Sequence, residues 1–347
     1  MAIQSIDIEN FTVFDSIKCE FGSGINIIIG ENGTGKTHLL KVLYAASDSL
    51  SYSTHDTTAN KNYFVTLLNA CFGNVKNDDL VAKRNKANKD IVAKIYATAE
   101  NGSCTFTQAL NNAIGNVSYK ERPYGETVDH APVFIPAKEM LTHARGLLTM
   151  ANKHSKDMPF DRTLLDVIQK ADSWKVDAPP QLAKKVAPLL EEVIGGTIIQ
   201  EEGDFYVIKH NGDKIRFSYE AEGVKKFGLL WQLLMTEVIT ENSILLWDEP
   251  EANLNPKLTP VVADVLMELS RNGVQVFLAT HDYNLMKYFS IKKKDNDQIS
   301  FISLYKQDGS VVCEIEEDYN LLEHNAIVEA GIKLLEDDIE GVFGGAN

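Results

Sequence analysis

What this 347-residue chain lacks narrows its function first. No apolar run comes near the roughly 20 residues that a membrane-spanning helix needs. The opening MAIQSIDIEN is polar and acidic, without the basic and apolar blocks of a secretory signal. The expected address is cytoplasmic, with no membrane partner. Cysteine is scarce: Cys19, Cys71, Cys104 and Cys313 lie far apart and none forms a CxxC pair, so buried or incidental thiols are expected rather than zinc or redox work. Positive charge is also short. The 34 Lys and Arg stand against 49 Asp and Glu, a net charge of −15, which disfavours indiscriminate binding to a polyanion. The densest basic run, Lys292–Lys294, is followed by Asp295 and Asp297 and reads as a solvated loop. There is no internal repeat and no HNH or zinc constellation, and the 37 residues after Ser310 are too few for a TOPRIM domain. No nuclease is evident within the chain.

What is there suits a folded α/β protein. Hydrophobic residues make up 44% and charged residues 24%, enough for a sizeable core, and the length suits two domains or one large domain with insertions. Ile3, Ile6 and Ile8 alternate with polar neighbours as in a half-buried strand, and a second strand pattern runs near Ile17–Phe21. Ile25–Ile29 is apolar except for Asn26, which suits a strand covered on both faces. Thr37–Ala46 has helical spacing, and the Ser/Thr/Asn-rich residues 47–61 are expected to form an exposed, mobile loop. Asp90–Ala99 and Cys104–Leu110 flank Asn101-Gly102, a hairpin signal. A strand over Ala131–Pro136 precedes a helical block at 139–194, broken by Pro179-Pro180. Thr197–Tyr219 reads as an antiparallel meander with an Asn211-Gly212 turn. After it come an apolar helix behind Gly223, buried strands at Ser243–Trp247 and Val274–Ala279, a terminal strand pair, and a helix near Leu321–Leu335. This order predicts an α/β core interrupted by an insertion.

The chemistry concentrates in two stretches. Ile27–Leu40 reads IIIGENGTGKTHLL, so Gly30-x-x-x-x-Gly35-Lys36-Thr37 sits between an apolar strand and a helix. Glycines at 30, 33 and 35 let the backbone curl around an anion with its N–H groups inward, and the helix starting near Lys36 adds its positive end. Lys36 is placed to reach the β- and γ-phosphates and Thr37 to ligate Mg²⁺. The bare pattern arises by chance about once in a hundred chains of this length at ordinary glycine content. The second stretch, Ser243–Asn255, reads SILLWDEPEANLN. Asp248 ends a buried strand, where it can hold Mg²⁺ through water, and Glu249 follows, where it can orient or deprotonate an attacking water. His281, in FLATHD, follows another apolar strand 33 residues after Asp248 and is placed to contact the γ-phosphate or the water.

The order of phosphate loop, DEP and THD resembles the ATP-binding-cassette ATPases. The opening IDIENFTVFDSI…FGSGINIIIGENGTGKT resembles their RecF/SMC/OLD branch, strongly over residues 1–46 and 216–310 and weakly between. The implied fold class is α/β: a P-loop NTPase of ABC/SMC-head type, with an antiparallel β subdomain and an inserted helical subdomain. The expected divisions are an N-terminal ATPase lobe over 1–138, a helical insertion over 139–196, a C-terminal lobe over 197–310 and a strand–helix extension over 311–347. On this resemblance Gly30–Thr37 is Walker A, with Asn32, Gly33, Thr34 and Gly35 in the nucleotide cradle. Ile244–Asp248 is Walker B, Glu249 the catalytic glutamate, Glu251–Asn255 the D-loop and His281 the switch histidine.

The resemblance also implies ATP and Mg²⁺, and two protomers sandwiching two ATP molecules, each completed by a signature loop from the other protomer. The best signature candidate, Glu220–Lys226, keeps Gly223 and its helix but has Ala221 for the serine and Glu222 for the first glycine. The alternative there is an ordinary helix start. The lost hydroxyl removes a hydrogen bond of about 1.5–3 kcal/mol to a charged group. The Q-loop glutamine is also missing, and Lys138 or Glu139 stands in its place. These departures suggest slow hydrolysis and a switch that closes on ATP. The implied partners are a homodimer or higher oligomer and a separate nuclease or toxin effector, as in defence modules such as PARIS or Septu. Nucleic acid is possible but is not indicated by charge. A RecF/SMC-like repair ATPase touching DNA directly is the alternative, and a transporter subunit a weaker third.

Overall fold

The structure is a computed structural model that describes residues 2–51, 57–74, 80–82, 92–109, 112–119, 131–153, 160–173 and 178–343. The chain opens with strands β1 (Ile3–Phe11), β2 (Phe14–Glu20) and β3 (Ile25–Gly30), followed by helices α1 (Lys36–Ser51) and α2 (Thr57–Cys71). Strands β4 (Ala93–Ala99), β5 (Gly102–Ala109), β6 (Asn112–Tyr119) and β7 (Val133–Ile135) come next, then helices α3 (Ala144–Lys153), α4 (Arg162–Ala171) and α5 (Gln181–Ile194). A meander of β8 (Gly196–Glu201), β9 (Asp204–Lys209) and β10 (Lys214–Arg216) leads to α6 (Glu222–Met235). The chain continues with β11 (Ile244–Asp248), α7 (Thr259–Arg271), β12 (Gln275–Ala279), α8 (Tyr283–Lys292), β13 (Ile299–Gln307), β14 (Ser310–Glu316) and α9 (Ala326–Phe343).

The central sheet runs β14-β13-β3-β12-β11-β7. All of its neighbouring pairs are parallel except β13–β14. Strands covered on both faces need apolar side chains in both directions, and β3 supplies them. Ile27 and Ile29 join the core under the helical side, whereas Ile28 joins the core against α1. Burying each such side chain contributes about 1.5–3 kcal/mol. Asn26, the polar break in this strand, is fully buried. Its side chain is satisfied in place: it accepts from Gly22 N–H at 3.0 Å and donates to Gly22 O at 2.9 Å.

The second sheet is antiparallel, in the order β2-β1-β4-β5-β6, and closes over α1. Ile3, Ile6 and Ile8 are its buried face. The β4–β5 turn sits one residue earlier than Asn101-Gly102, because Gly102 already pairs with Ala99. Glycine is required at 102 for a different reason: a Cβ there would lie 2.2 Å from the Ser118 carbonyl of β6. The small sheet β10-β9-β8 is the expected meander, with Gly212 at a positive φ of 90° in its turn.

Residues 47–51 correct the sequence reading. They form the last turns of α1 rather than a loop, and Ser47, Ser49 and Ser51 are buried. Their hydroxyls donate to the carbonyls of Leu43, Ala45 and Ser47, four residues back, so the serines are satisfied within the helix. Residues 57–61 open α2, and residues 52–56 lie outside the described residues, as do Asp90, Ile91 and Leu110 of the expected hairpin. Among the described residues no helix is long and apolar enough to cross a membrane. The helical segment is tied to the phosphate-loop helix by polar contacts. Lys41 meets Asp161 at 2.6 Å, and the Tyr44 hydroxyl donates to Asp166 at 2.6 Å.

Candidate functional site

The phosphate loop leaves β3 at Gly30 and enters α1 at Lys36. Two of its glycines are fixed by crowding as well as by backbone conformation. Gly30 has φ 146° and a Cβ there would meet the Leu304 carbonyl at 2.2 Å. Gly35 has φ 94° and a Cβ would press on Val13 at 2.5 Å and Phe14 at 2.6 Å. Gly33 has φ 79° and lies exposed beside Asn32 at the loop tip. Thr34 is buried and its hydroxyl donates to Glu31 O at 2.9 Å, which tightens the loop. The Lys36 ammonium lies across the loop, donating to Gly30 O at 2.8 Å and Glu31 O at 2.9 Å. Burial lowers its pKa to about 8, against the opposing pull of Glu249, Asp248 and Glu251.

Asp248 closes β11 and accepts the Thr37 hydroxyl at 2.8 Å. Its carboxyl titrates above the ordinary range because it is buried. Strand β11 is not the immediate neighbour of β3, since β12 runs between them. The acidic pair therefore reaches the loop across β12, and His281, just past the end of β12, stands beside it. Glu249 turns the chain out of the sheet at φ 46°. Its N–H donates to the Ala279 carbonyl at 2.9 Å. That bond leaves its carboxylate half exposed with Oε1 3.6 Å from His281 Nε2. Burial, then the Lys36 charge, push the His281 pKa down, so the imidazole is neutral at neutral pH. A cleft of about 210 Å³ is lined by the loop residues Asn32, Gly33, Gly35, Lys36 and Thr37 together with Val13, His38, Glu249 and His281.

Three side chains around this cleft were not singled out as site residues. Glu251 is the base of the His281 turn: its Oε1 accepts from the Thr280 hydroxyl at 2.7 Å and from His281 N–H at 3.0 Å. Its only sequence signal is the D-loop match. Lys226, on α6, is 3% exposed and donates to the carbonyls of Glu249 at 2.9 Å and Pro250 at 3.4 Å. Burial lowers its pKa. A lysine on a helix reads as surface in sequence, and only the docking of α6 on the DEP turn makes it internal. His38 packs edge-on against Phe72 at 5.3 Å, and burial lowers its pKa to about 4.

Gly223 is not among the residues lining this cleft. It lies in the first turn of α6, where a Cβ would meet Leu254 at 3.0 Å. Glu222 is drawn back by Lys225 at 2.9 Å. Of the two candidates for the Q-loop position, Glu139 is committed to the chain itself: it caps the following turn by accepting from Thr142 N–H at 3.0 Å and from the Thr142 hydroxyl at 2.5 Å. Lys138 is exposed. At Lys292–Lys294, Lys292 pairs with Asp264 at 2.7 Å and Lys293 reaches the Glu317 carbonyl at 3.3 Å, a solvated helix end with acidic neighbours. A larger polar cavity lies at the opposite ends of the strands, beside Gly24, Gln275 and Arg271, the last already paired with Asp297 at 2.7 Å.

Two family descriptions match the chain in succession: "AAA ATPase domain" over residues 1–130 and "AAA domain, putative AbiEii toxin, Type IV TA system" over residues 147–287. A DNA replication and repair protein RecF from Pediococcus pentosaceus is 38% identical over 55 residues, 16% of this chain. The match spans only 15% of that relative's length. In fold, the chain resembles an Smc head bound to the C-terminal winged-helix domain of ScpA, with TM-score 0.56 at 14% identity over 91% of this chain and 98% of that one. It also resembles an Smc head with an extended coiled coil, bound to the C-terminal domain of ScpA derived from Pyrococcus furiosus, with TM-score 0.54 at 12% identity over 97% of this chain and 99% of that one. Residues 1–130 and 147–287 thus resemble AAA-type ATPase domains, a short stretch is similar to RecF, and the chain has the SMC-head type of α/β P-loop fold with an antiparallel sheet.

Proposed function

We propose that this chain binds Mg-ATP in the cleft between the phosphate loop and the DEP turn, closes on it as a homodimer, and hydrolyses it slowly. One observation carries the reading: the hydroxyl of Thr37, which lines the cleft, and the carboxylate of Asp248, from a distant part of the chain, meet at 2.8 Å. A hydroxyl and a carboxylate at that spacing are hard oxygen donors of the kind Mg²⁺ takes, so the residues fit the ion, which Thr37 and Asp248 would hold. When bound, the ion would neutralise charge on the phosphates. Lys36, released from the Gly30 and Glu31 carbonyls, pairs with phosphate oxygens. Glu249 accepts a proton from the attacking water, and His281 donates from its position beside Glu249 to the γ-phosphate.

Gly223 belongs in this scheme as a contact to the nucleotide of the facing protomer, through the N-terminal turn of α6. Slow turnover follows from Ala221 and Glu222 at that turn. A slow, ATP-closed dimer acts as a switch on a separate effector, and a role in prokaryotic anti-phage defence, with a nuclease or toxin under its control, fits this behaviour. The second reading, an ATPase that touches DNA directly, is favoured by the RecF match. Light scattering of Glu249→Gln with and without Mg-ATP tests the first reading. An ATP-dependent doubling of mass is expected, and a mass unchanged by ATP overturns it. DNA binding that falls steeply between two salt concentrations would favour the second.

A further inference from the structure

The antiparallel sheet and the central sheet each end in an edge strand, β2 and β14, and these two edges face each other without being hydrogen-bonded neighbours in one sheet. Among the described residues, side chains bridge the seam. Ser310 donates to Asp15 at 2.8 Å, and Cys19 Sγ lies 2.9 Å from Cys313 Sγ, 294 positions away in sequence. Both are free thiols, Cys19 fully buried and Cys313 half-buried. The separation is within about 1 Å of a bonded sulfur pair. We propose that Cys19 and Cys313 form an oxidative modification site: a dithiol that hydroperoxides convert to a disulfide stapling β2 to β14, and that thiol reductants restore.

The division of roles follows from exposure. Cys313 is the sulfur that an oxidant can reach. Its thiolate attacks the terminal peroxide oxygen and the O–O bond breaks, leaving Cys313 as the sulfenic acid and releasing RO⁻, which takes up the thiol proton as ROH. Cys19 sulfur then attacks the sulfenic sulfur. The S–O bond breaks, the departing hydroxide takes the Cys19 proton, and the balance is two thiols and one hydroperoxide (ROOH) giving one disulfide, water and ROH. The hydrogen bond with Cys313 and burial hold the Cys19 thiol protonated, which suits it to resolving rather than initiating. On the Cys313 side the staple neighbours the phosphate loop: Cys313 pairs across the hairpin with Leu304, whose carbonyl crowds Gly30.

The test is peptide mapping of the intact wild-type chain after hydrogen peroxide treatment, digested without reductant. The expected result is one linked pair of peptides carrying Cys19 and Cys313, absent after dithiothreitol, with the fully buried Cys71 and Cys104 recovered as thiols. In Cys19→Ser, Cys313 should accumulate as a sulfenic acid trapped by dimedone, and in Cys313→Ser no link should form. Recovery of both residues as free thiols, or a Cys313–Cys313 link between two chains, overturns the proposal. The wild-type map decides the matter even if a serine variant does not fold, and its outcome is independent of whether the chain hydrolyses ATP.

Discussion

Thr37 and Asp248 lie 211 positions apart and share a 2.8 Å hydrogen bond at the meeting point of α1 and β11. Asp248→Asn keeps the size of the side chain and removes its charge. We expect Mg²⁺ affinity in the presence of an ATP analogue to fall about 10–100-fold, the usual loss when a group supporting a metal's shell is removed. Binding of the nucleotide in EDTA should change little. Titrating Mg²⁺ at fixed nucleotide checks this, and an equal loss with and without the metal would count against a metal role.

The Lys36 ammonium has a pKa of about 8 in the free protein. Bound phosphate holds the lysine protonated, so its pKa rises on binding. Below about 8 the lysine is charged in both states and the ATP Kd is flat with pH. Above about 8 binding must take up a proton, and Kd weakens by up to about tenfold per pH unit. Calorimetry in two buffers of different ionisation enthalpy at pH 9 should report proton uptake, and Lys36→Arg should abolish that uptake.

Glu249→Gln should retain ATP and lose turnover by about 10²–10⁴-fold, the range for a positioned general base. His281 is held below its ordinary 6.5 by burial and the Lys36 charge. Its contribution to turnover should therefore fall with a midpoint on the acid side of 6.5. A His281-dependent limb centred above 6.5, seen by comparing wild type with His281→Ala, would contradict this.

Lys226 is the internal tie between α6 and the DEP turn. Lys226→Met should leave the Glu249 and Pro250 carbonyls short of a donor and cost about 2 kcal/mol, or about 3 °C in Tm for a chain of this length. Glu249→Gln, on a half-exposed carboxylate, should leave Tm within a degree or so. Differential scanning calorimetry of the two variants separates them, and equal melting temperatures would show that Lys226 does not hold the turn.

The strands and helices were legible where local pattern and burial agree. Ile6 and Ile8 alternate with polar neighbours because one face of β1 is buried, Ile3 is buried across the register shift between Ile3 and Ser5, and Ile25–Ile29 does not alternate because both faces of β3 are covered. The serines at 47, 49 and 51 misled, because a hydroxyl that favours loops in isolation can instead return its hydrogen bond to the helix that carries it. Glycine 102 was legible as special, but its reason was a neighbouring strand rather than a turn.

The sequence by itself determined the glycine loop and the acidic strand end, because a strand, a loop of glycines and a helix start are neighbours in the chain, and their conformations depend mainly on adjacent residues. Tertiary structure alone decided that β12 runs between β3 and β11, that Lys226 is buried under the DEP turn, and that Cys19 meets Cys313. Those relationships join segments up to 294 positions apart. They are set by how the sheets and α6 pack together, and no short-range preference in the chain encodes that.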